Sequence, residues 1–393
     1  MLTSKHTVAC SYIGYLTQAI TINFAPLLFV TFEKTYNISL AKISLLIAIS
    51  FTTQFITDLV AARLSDKLNL RYAAILAHLF AVIGLTAFAY LPDIMPDHYI
   101  GLCISVIIAS MGGGLTEVVI SPIVEACPTK KKSASMALLH SFYSWGLAAV
   151  IIFSTIFFEF FGLENWRVLS CLWAIVPLIG VIGFCVVPVY DLKKEQETSS
   201  DKRPMYKESL FWVFVGIMLC TGAAEQAISQ WASVFAEKGL GISKTLGDLL
   251  GPLSFAILMG IARVFYGLFS HKIKLRVYMT FSCILCVISY ILVALSPIPF
   301  LSLIGCALCG LSVGIMWPGT LSLAAKNMPD CNVRLFALLA FVGDIGCLIG
   351  PASAGWIAGI FNDNLKIGFI FNLIFPVTML FLMKNVKNKR SRG

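Results

Sequence analysis

The chain contains 393 residues, of which 58% are hydrophobic and 12% charged, and it carries a formal net charge of +9. Soluble globular proteins have roughly 25% charged residues, so this composition excludes a chain that folds mainly in water. A bilayer core about 30 Å thick requires roughly 20 apolar residues for each helical span, and the sequence supplies such runs between short polar loops.

These runs predict twelve transmembrane helices. In chain order they lie near 7–32, 40–61, 72–91, 98–121, 133–158, 166–189, 209–235, 246–270, 275–296, 300–325, 332–360 and 366–384. Strands of a membrane barrel would alternate polar and apolar residues over about ten positions, whereas these runs are continuously apolar. The predicted fold class is therefore an all-α membrane protein.

The positions of lysine and arginine predict the orientation, because cytoplasmic loops hold an excess of both residues. Most of them fall on the cytoplasmic side if the N-terminus is inside, including Lys130, the stretch 193–207 and the tail from Lys384 to Arg392. Both termini are therefore expected to be cytoplasmic, in a multi-pass protein of the plasma membrane. This asymmetry also accounts for the net charge, so no nucleic-acid partner is predicted.

An internal repeat divides the chain into halves. Residues 62–71 and 267–276 share the frame Ser-x-Lys-x-x-Leu-Arg. The other matches are Gly114, Leu115 and Pro122 with Gly310, Leu311 and Pro318, and Ala137, Leu138, Leu139 and Gly146 with Ala337, Leu338, Leu339 and Gly346. Two six-helix bundles, 1–189 and 209–393, are predicted, joined by a charged cytoplasmic linker at 190–208.

The segment 62–71 resembles the loop signature of the major facilitator superfamily, Gly-x-x-x-Asp-Arg/Lys-x-Gly-Arg/Lys-Arg/Lys. The matching residues are Asp66, Lys67 and Arg71, while Ala62 and Asn69 replace the glycines. This resemblance implies two pseudo-symmetric bundles that rock about a central site in alternating access. It also implies that spans 1, 4, 7 and 10 line the cavity.

Within that superfamily, a few segments resemble the fucose permease group of sugar and proton symporters. They are the first span with Gln18, Asn23 and Pro26, the run 112–117, and Glu225 and Gln226 before Trp231. The resemblance implies proton coupling through an acid on the fourth span and a monosaccharide substrate.

Glu117 is the leading candidate for proton coupling, and Glu225 is the second. A charged residue inside a span costs roughly 2.5 to 3.5 kcal/mol on insertion scales, so it normally faces a cavity or a partner. Three glycines before Glu117 would let another backbone or a substrate approach closely. Removal from water disfavours the charged form of a carboxylate, which suits a proton carrier. The alternative is a structural glutamate that is hydrogen-bonded between helices.

Span 7 carries the candidate sugar site. Glu225, Gln226, Ser229 and Gln230 share one helical face, and Trp231 follows them. Amides and hydroxyls can bind sugar hydroxyl groups, and an indole ring can stack on the sugar C–H face. The candidates elsewhere are Gln18, Asn23, Gln54, His140, Tyr143, Trp145 and Trp317. Polar packing between helices is the alternative.

Several other charged residues are expected to act in gating. Asp58 and Arg263 occupy equivalent places in the repeat near cytoplasmic helix ends, where charges can pair in one state and separate in another. The loop residues expected to join them are Arg63, Asp66 and Arg71. Asp344, in the middle of span 11, either partners Arg263 or joins the cavity.

The sequence favours a proton-coupled sugar importer, expected to be a monomer that takes up a monosaccharide with protons. An exporter or drug antiporter is the alternative; its glycine-proline signature would lie in span 5, which lacks it. A sensor or structural membrane protein is the third class. No Walker-type phosphate loop is present, so ATP-driven pumping and enzymatic activity are not predicted, and neither is a cofactor or a metal.

Overall fold

The computed structural model describes residues 2–64, 69–128, 132–190, 205–269, 273–328 and 332–386, and the regular structure in these residues is helical. The helices are α1 (Ser4–Asn23), α2 (Phe29–Tyr36), α3 (Leu40–Leu64), α4 (Leu70–Ile94), α5 (His98–Ala126), α6 (Lys132–Phe161), α7 (Trp166–Trp173), α8 (Ile175–Val186), α9 (Ser209–Val234), α10 (Lys244–Asp248), α11 (Ser254–Phe269), α12 (Leu275–Leu295), α13 (Pro299–Val313), α14 (Met316–Asn327), α15 (Asn332–Ile360), α16 (Leu365–Asn372) and α17 (Ile374–Asn385).

Among the described residues, 12 helical stretches are long and apolar enough to cross a bilayer, so the predicted number of spans is confirmed. Spans 2 to 5 are α3 to α6, span 7 is built on α9, span 9 is α12 and span 11 is α15. Spans 1, 6, 8, 10 and 12 each combine two consecutive helices.

Hydropathy does not predict such interruptions, as spans 1 and 10 illustrate. Span 1 passes through a 3-10 turn at Ala25–Leu28, where Pro26 has no amide hydrogen to donate to an α-helical bond. Span 10 changes helix between Val313 and Met316, just before Pro318, whereas α5 in the other half runs through Pro122 without a break. Proline therefore acts differently at the two repeat-equivalent positions.

The chain divides into two compact units, Met1–Gln196 and Glu197–Gly393, and the division falls within the segment 190–208. The same helix pairings recur inside each unit. In the first, α4 packs along α5, α3 against α5, and α1 against α6; in the second, the equivalent pairs are α12 with α13, α11 with α13, and α9 with α15.

The repeated glycine of spans 5 and 11 makes the same kind of contact in both units. Gly146 of α6 lies against Leu16 and Ala19 of α1, and Gly346 of α15 lies against the backbone of α9 around Leu219. A side chain at either position would meet the neighbouring helix. Close helix packing therefore explains why glycine occurs at both positions of this repeat pair.

The repeated arginine also has one structural role in both units. Arg71 lies near the start of α4 and donates from its guanidinium to the carbonyl groups of Phe184 (2.8 Å) and Cys185 (3.1 Å) at the end of α8. Arg276 near the start of α12 donates to the carbonyl of Lys384 at the end of α17 (3.3 Å). The last carbonyls of a helix have no partner within it, so each arginine caps a helix end.

Candidate functional site

Glu117 is held by two amides from two other spans. Its Oε2 atom accepts hydrogen bonds from Nε2 of Gln18 on α1 (2.7 Å) and from Nε2 of Gln54 on α3 (2.9 Å). Both glutamines are buried, with 5% and 6% of their surfaces exposed. Amide donors stabilise the charged carboxylate, whereas removal from water disfavours it, so two opposing effects act on this group. Spans 1, 2 and 4 therefore converge on one oxygen atom.

The three glycines before Glu117 face three different helices. Consecutive residues of an α-helix are about 100° apart around its axis, so the three glycines point in different directions. Gly112 lies against the backbone of α4 at Ala77 and Ala81, and Gly113 lies opposite the hydroxyl of Thr21 on α1. Gly114 lies against Asp58 and the backbone of Gln54, both on α3. The expected close approach is therefore observed, and the neighbours are the helices that position the Glu117 site.

Asn23 and Tyr143 form a second polar contact in the first unit. The Asn23 amide donates to the Ala19 carbonyl (2.9 Å) and to the Tyr143 hydroxyl (3.4 Å), which joins α1 to α6. Trp145, two residues further along α6, has 45% of its surface exposed and lies on a different face of that helix. The side chain of His140 lies outside the described residues.

A polar face is present on α9 in the second unit, where Glu225, Gln226 and Gln230 are buried. The Gln230 amide donates to Oε1 of Gln226 (3.2 Å). Oε2 of Glu225 is buried without a hydrogen-bond partner among the described residues. This unit therefore holds a buried carboxyl group beside a pair of amides.

The two candidate tryptophans of the second unit differ in environment. Trp231 is fully buried and its indole N–H donates to the Pro351 carbonyl on α15 (2.9 Å), so the structure places it in the packed interior of the unit. Trp317 on α14 is half-buried, and its ring lies on Gly343 of α15, the residue before the half-buried Asp344. Trp317 is therefore the more accessible of the two rings.

The expected gating residues occupy separate places. Asp58 packs on Gly114, Arg63 is exposed at the end of α3, and Asp66 lies outside the described residues. Arg71 caps α8 as described above. Arg263 on α11 donates from Nε to the Gly314 carbonyl between α13 and α14 (3.2 Å), so it links spans 8 and 10 within the second unit.

Two polar clusters were not identified from the sequence. Arg167 binds Asp93 through Nε and a terminal nitrogen (2.9 and 3.1 Å), and its terminal nitrogen also donates to the Tyr36 hydroxyl (2.9 Å). In the second unit, Lys244 forms an ion pair of 2.7 Å with the buried Asp248. The spacing of four residues on one helix is the signal for the second cluster, whereas nothing in the sequence marks the first.

The chain belongs to the Major Facilitator Superfamily, because the sequence model of that family matches residues 10–351. A bacterial homolog of the human lysosomal transporter Spinster, in an inward-facing and occupied conformation, matches with a TM-score of 0.77 and 13% identity over 99% of both chains. The transporter FucP, in the outward conformation, matches with a TM-score of 0.66 and 14% identity over 97% of this chain and 99% of its own. No curated protein matches the chain in sequence.

The family model establishes the transporter superfamily, and the two structural likenesses establish the fold. At identities of 13% and 14% they carry no information about the transported solute. The side chains of this chain are therefore the evidence for its solute and its energy source.

Proposed function

We propose that this transporter is a proton-coupled sugar importer in which Glu117 carries the proton. The observation that carries the proposal is the attachment of Glu117 to Gln18 and Gln54, which brings one carboxyl oxygen into contact with two other spans. A change in the charge of this group necessarily changes the bonds between three helices.

Protonation alters these bonds because a charged carboxylate only accepts hydrogen bonds, whereas a neutral carboxylic acid also donates one. Oε2 of charged Glu117 accepts from both amides. If that oxygen becomes protonated, at least one amide has to turn and present its carbonyl oxygen or leave. Binding and release of a proton are thereby coupled to the packing of spans 1, 2 and 4 within the first bundle.

A sugar substrate is supported by the kind of polar groups present. Gln18, Asn23 and Gln54 in the first unit and Gln226 and Gln230 in the second are uncharged amides that can both donate to and accept from hydroxyl groups. The Trp317 ring, which is half-buried, supplies an apolar face of the kind that stacks on a sugar. The resemblance of the first span and of the run 112–117 to fucose permeases supports the same solute class.

The orientation follows from the charge distribution. Lysine and arginine are concentrated in the loops and tail that the twelve-span topology assigns to one side, and that side is proposed to be the cytoplasm. Import then means movement of sugar and proton together toward the lysine-rich side, in a monomer of the plasma membrane.

The test is uptake of labelled hexoses and deoxyhexoses by the purified protein in proteoliposomes, with and without an inward proton gradient. At least one sugar should accumulate with the gradient and only equilibrate without it. The matched control is Glu159→Gln, which neutralises an exposed acid on α6 and should leave accumulation unchanged. Absence of gradient-driven uptake for every sugar, or proton-driven loss of solute from loaded vesicles, would exclude the importer.

A further inference from the structure

The Asp58 carboxylate lies beside the Glu117 site. An ideal Cβ placed on Gly114 would be 2.7 Å from Oδ1 of Asp58, and Gly114 precedes Glu117 by less than one helical turn on the same helix. Asp58 follows Gln54 by four residues on α3, so these two side chains share one face of that helix. That face is turned toward α5, because the Gln54 amide binds Glu117.

The same region contains buried oxygen atoms that lack a hydrogen-bond donor. Oδ1 of Asp58 is buried without a partner among the described residues, and so is Oε1 of Gln18, whose Nε2 is bound to Glu117. Buried polar atoms are nearly always hydrogen-bonded, because leaving one unpaired costs roughly 1–3 kcal/mol. Two acceptor atoms of the cluster are therefore unpaired, and a carboxyl proton would supply a donor to one of them.

The charges of the two carboxyl groups also favour a proton on one of them. Tyr15 on α1 also interacts with Glu117, and its hydroxyl lies 2.9 Å from that of Ser121. Arg63, five residues after Asp58, is exposed at the end of α3. Asp58 and Glu117 are both half-buried, and two carboxylates near each other repel, so the pair is more stable when one of them is neutral.

We propose that Asp58 and Glu117 form a two-carboxylate site that holds one exchangeable proton between them. This inference rests on the proposed proton coupling and adds a second proton-binding group to it, in place of the gating role expected for Asp58. In one form Asp58 is the acid and Glu117 accepts both amides; in the other the proton has moved to Glu117 and Asp58 is the carboxylate. The net charge of the pair is the same in both forms.

Carbodiimide labelling tests the pair without any sugar. Dicyclohexylcarbodiimide adds to protonated carboxyl groups in apolar surroundings, and peptide mass spectrometry of the purified protein in detergent gives the extent of labelling at each acid as a function of pH. In Asp58→Asn, the pH of half-maximal labelling at Glu117 should move to lower pH by at least about one unit, because the neighbouring negative charge is gone. Glu159→Gln is the control and should leave the Glu117 profile unchanged.

The reciprocal variant keeps the test decisive if Asp58→Asn does not fold. In Glu117→Gln, labelling at Asp58 should shift in the same direction by a similar amount. Profiles that match the wild type in either folded variant would overturn the shared proton. Because the assay contains no sugar, this inference can fail while proton-driven uptake is observed, and it can hold when no sugar in the panel is transported.

Discussion

Replacing each of the three glycines before Glu117 by alanine should give three different results. An ideal Cβ at Gly112 would lie 2.7 Å from the backbone nitrogen of Ala81 and 2.8 Å from the carbonyl oxygen of Ala77. At Gly113 the nearest atom is the Thr21 hydroxyl at 3.0 Å, which belongs to a side chain that can adjust. At Gly114 the neighbours are Asp58 Oδ1 at 2.7 Å and the Gln54 carbonyl at 2.9 Å.

Two energies of opposite sign decide the outcome. Alanine is favoured over glycine inside a helix by about 0.8–1.0 kcal/mol, and overpacking costs typically about 1–3 kcal/mol. Backbone atoms cannot move out of the way by changing rotamer, so Gly112→Ala should reach the upper part of that range and lose about 1–2 kcal/mol net. Gly113→Ala should be close to neutral, because the two terms nearly cancel. Gly114→Ala should be destabilising and should also displace Asp58.

Thermal unfolding in detergent, followed by tryptophan fluorescence, measures the order of stability. We expect Gly113→Ala to melt within a few degrees of the wild type and both neighbours to melt clearly lower. Transport separates those two, since Gly114→Ala disturbs Asp58 and Gln54 whereas Gly112→Ala contacts only α4. Equal losses at all three positions would refute the assignment of each glycine to a different helix.

Three further predictions concern contacts away from Glu117. Trp231→Phe removes the indole hydrogen bond to a carbonyl of α15 and should cost about 1–3 kcal/mol, seen as a lower melting temperature. Arg71→Ala removes two bonds to the end of α8, whereas Arg276→Ala removes one longer bond to the end of α17, so Arg71→Ala should lower the melting temperature more. Lys244→Met leaves the buried Asp248 without its counter-ion and should cost about 3–5 kcal/mol, which Asp248→Asn in the same chain should partly restore.

The controls for these substitutions lie in exposed places. Trp145→Phe and Arg63→Ala change the same residue types where the side chains are exposed, and they should leave the melting temperature within a few degrees of the wild type. A Trp231→Phe protein as stable as Trp145→Phe would show that the bond to the Pro351 carbonyl contributes little. A failure of Asp248→Asn to restore stability would show that the loss came from packing.

The number of spans could be predicted from the sequence because it depends only on the length of apolar runs, which the bilayer thickness sets. The break at Ala25–Leu28 and the change of helix before Pro318 could not be predicted, because a proline does not interrupt every helix in which it lies. Pro122 shows this directly, since it lies inside an unbroken α5.

The departures from the family loop signature also have a physical explanation that only the structure provides. Asn69 replaces a glycine of that signature, and its side chain accepts hydrogen bonds from the backbone N–H groups of Arg71 and Tyr72 at the start of α4. Arg71 caps the end of α8, and its expected role in gating stays a prediction. A sequence pattern indicates which residues recur, whereas their partners depend on how the helices pack.

The candidate site was predicted in part. The acid on span 4 and the close approach at its glycines follow from residue type and position. The hydrogen bonds of Gln18 and Gln54 to one oxygen atom could not be predicted in this way, because they depend on the rotation of three helices about their axes. The interior position of Trp231 could not be predicted from the sequence either. A tryptophan next to polar residues has the same sequence pattern whether it stacks on a ligand or packs in a core.

The most direct test of the account compares exchange with accumulation in Glu117→Gln, using a sugar that the wild type accumulates. The variant keeps the shape of the side chain and removes the proton-binding group. The account predicts that labelled sugar still exchanges across the membrane while accumulation driven by the proton gradient is lost. Accumulation equal to that of the wild type would contradict it and would show that the driving proton is carried elsewhere.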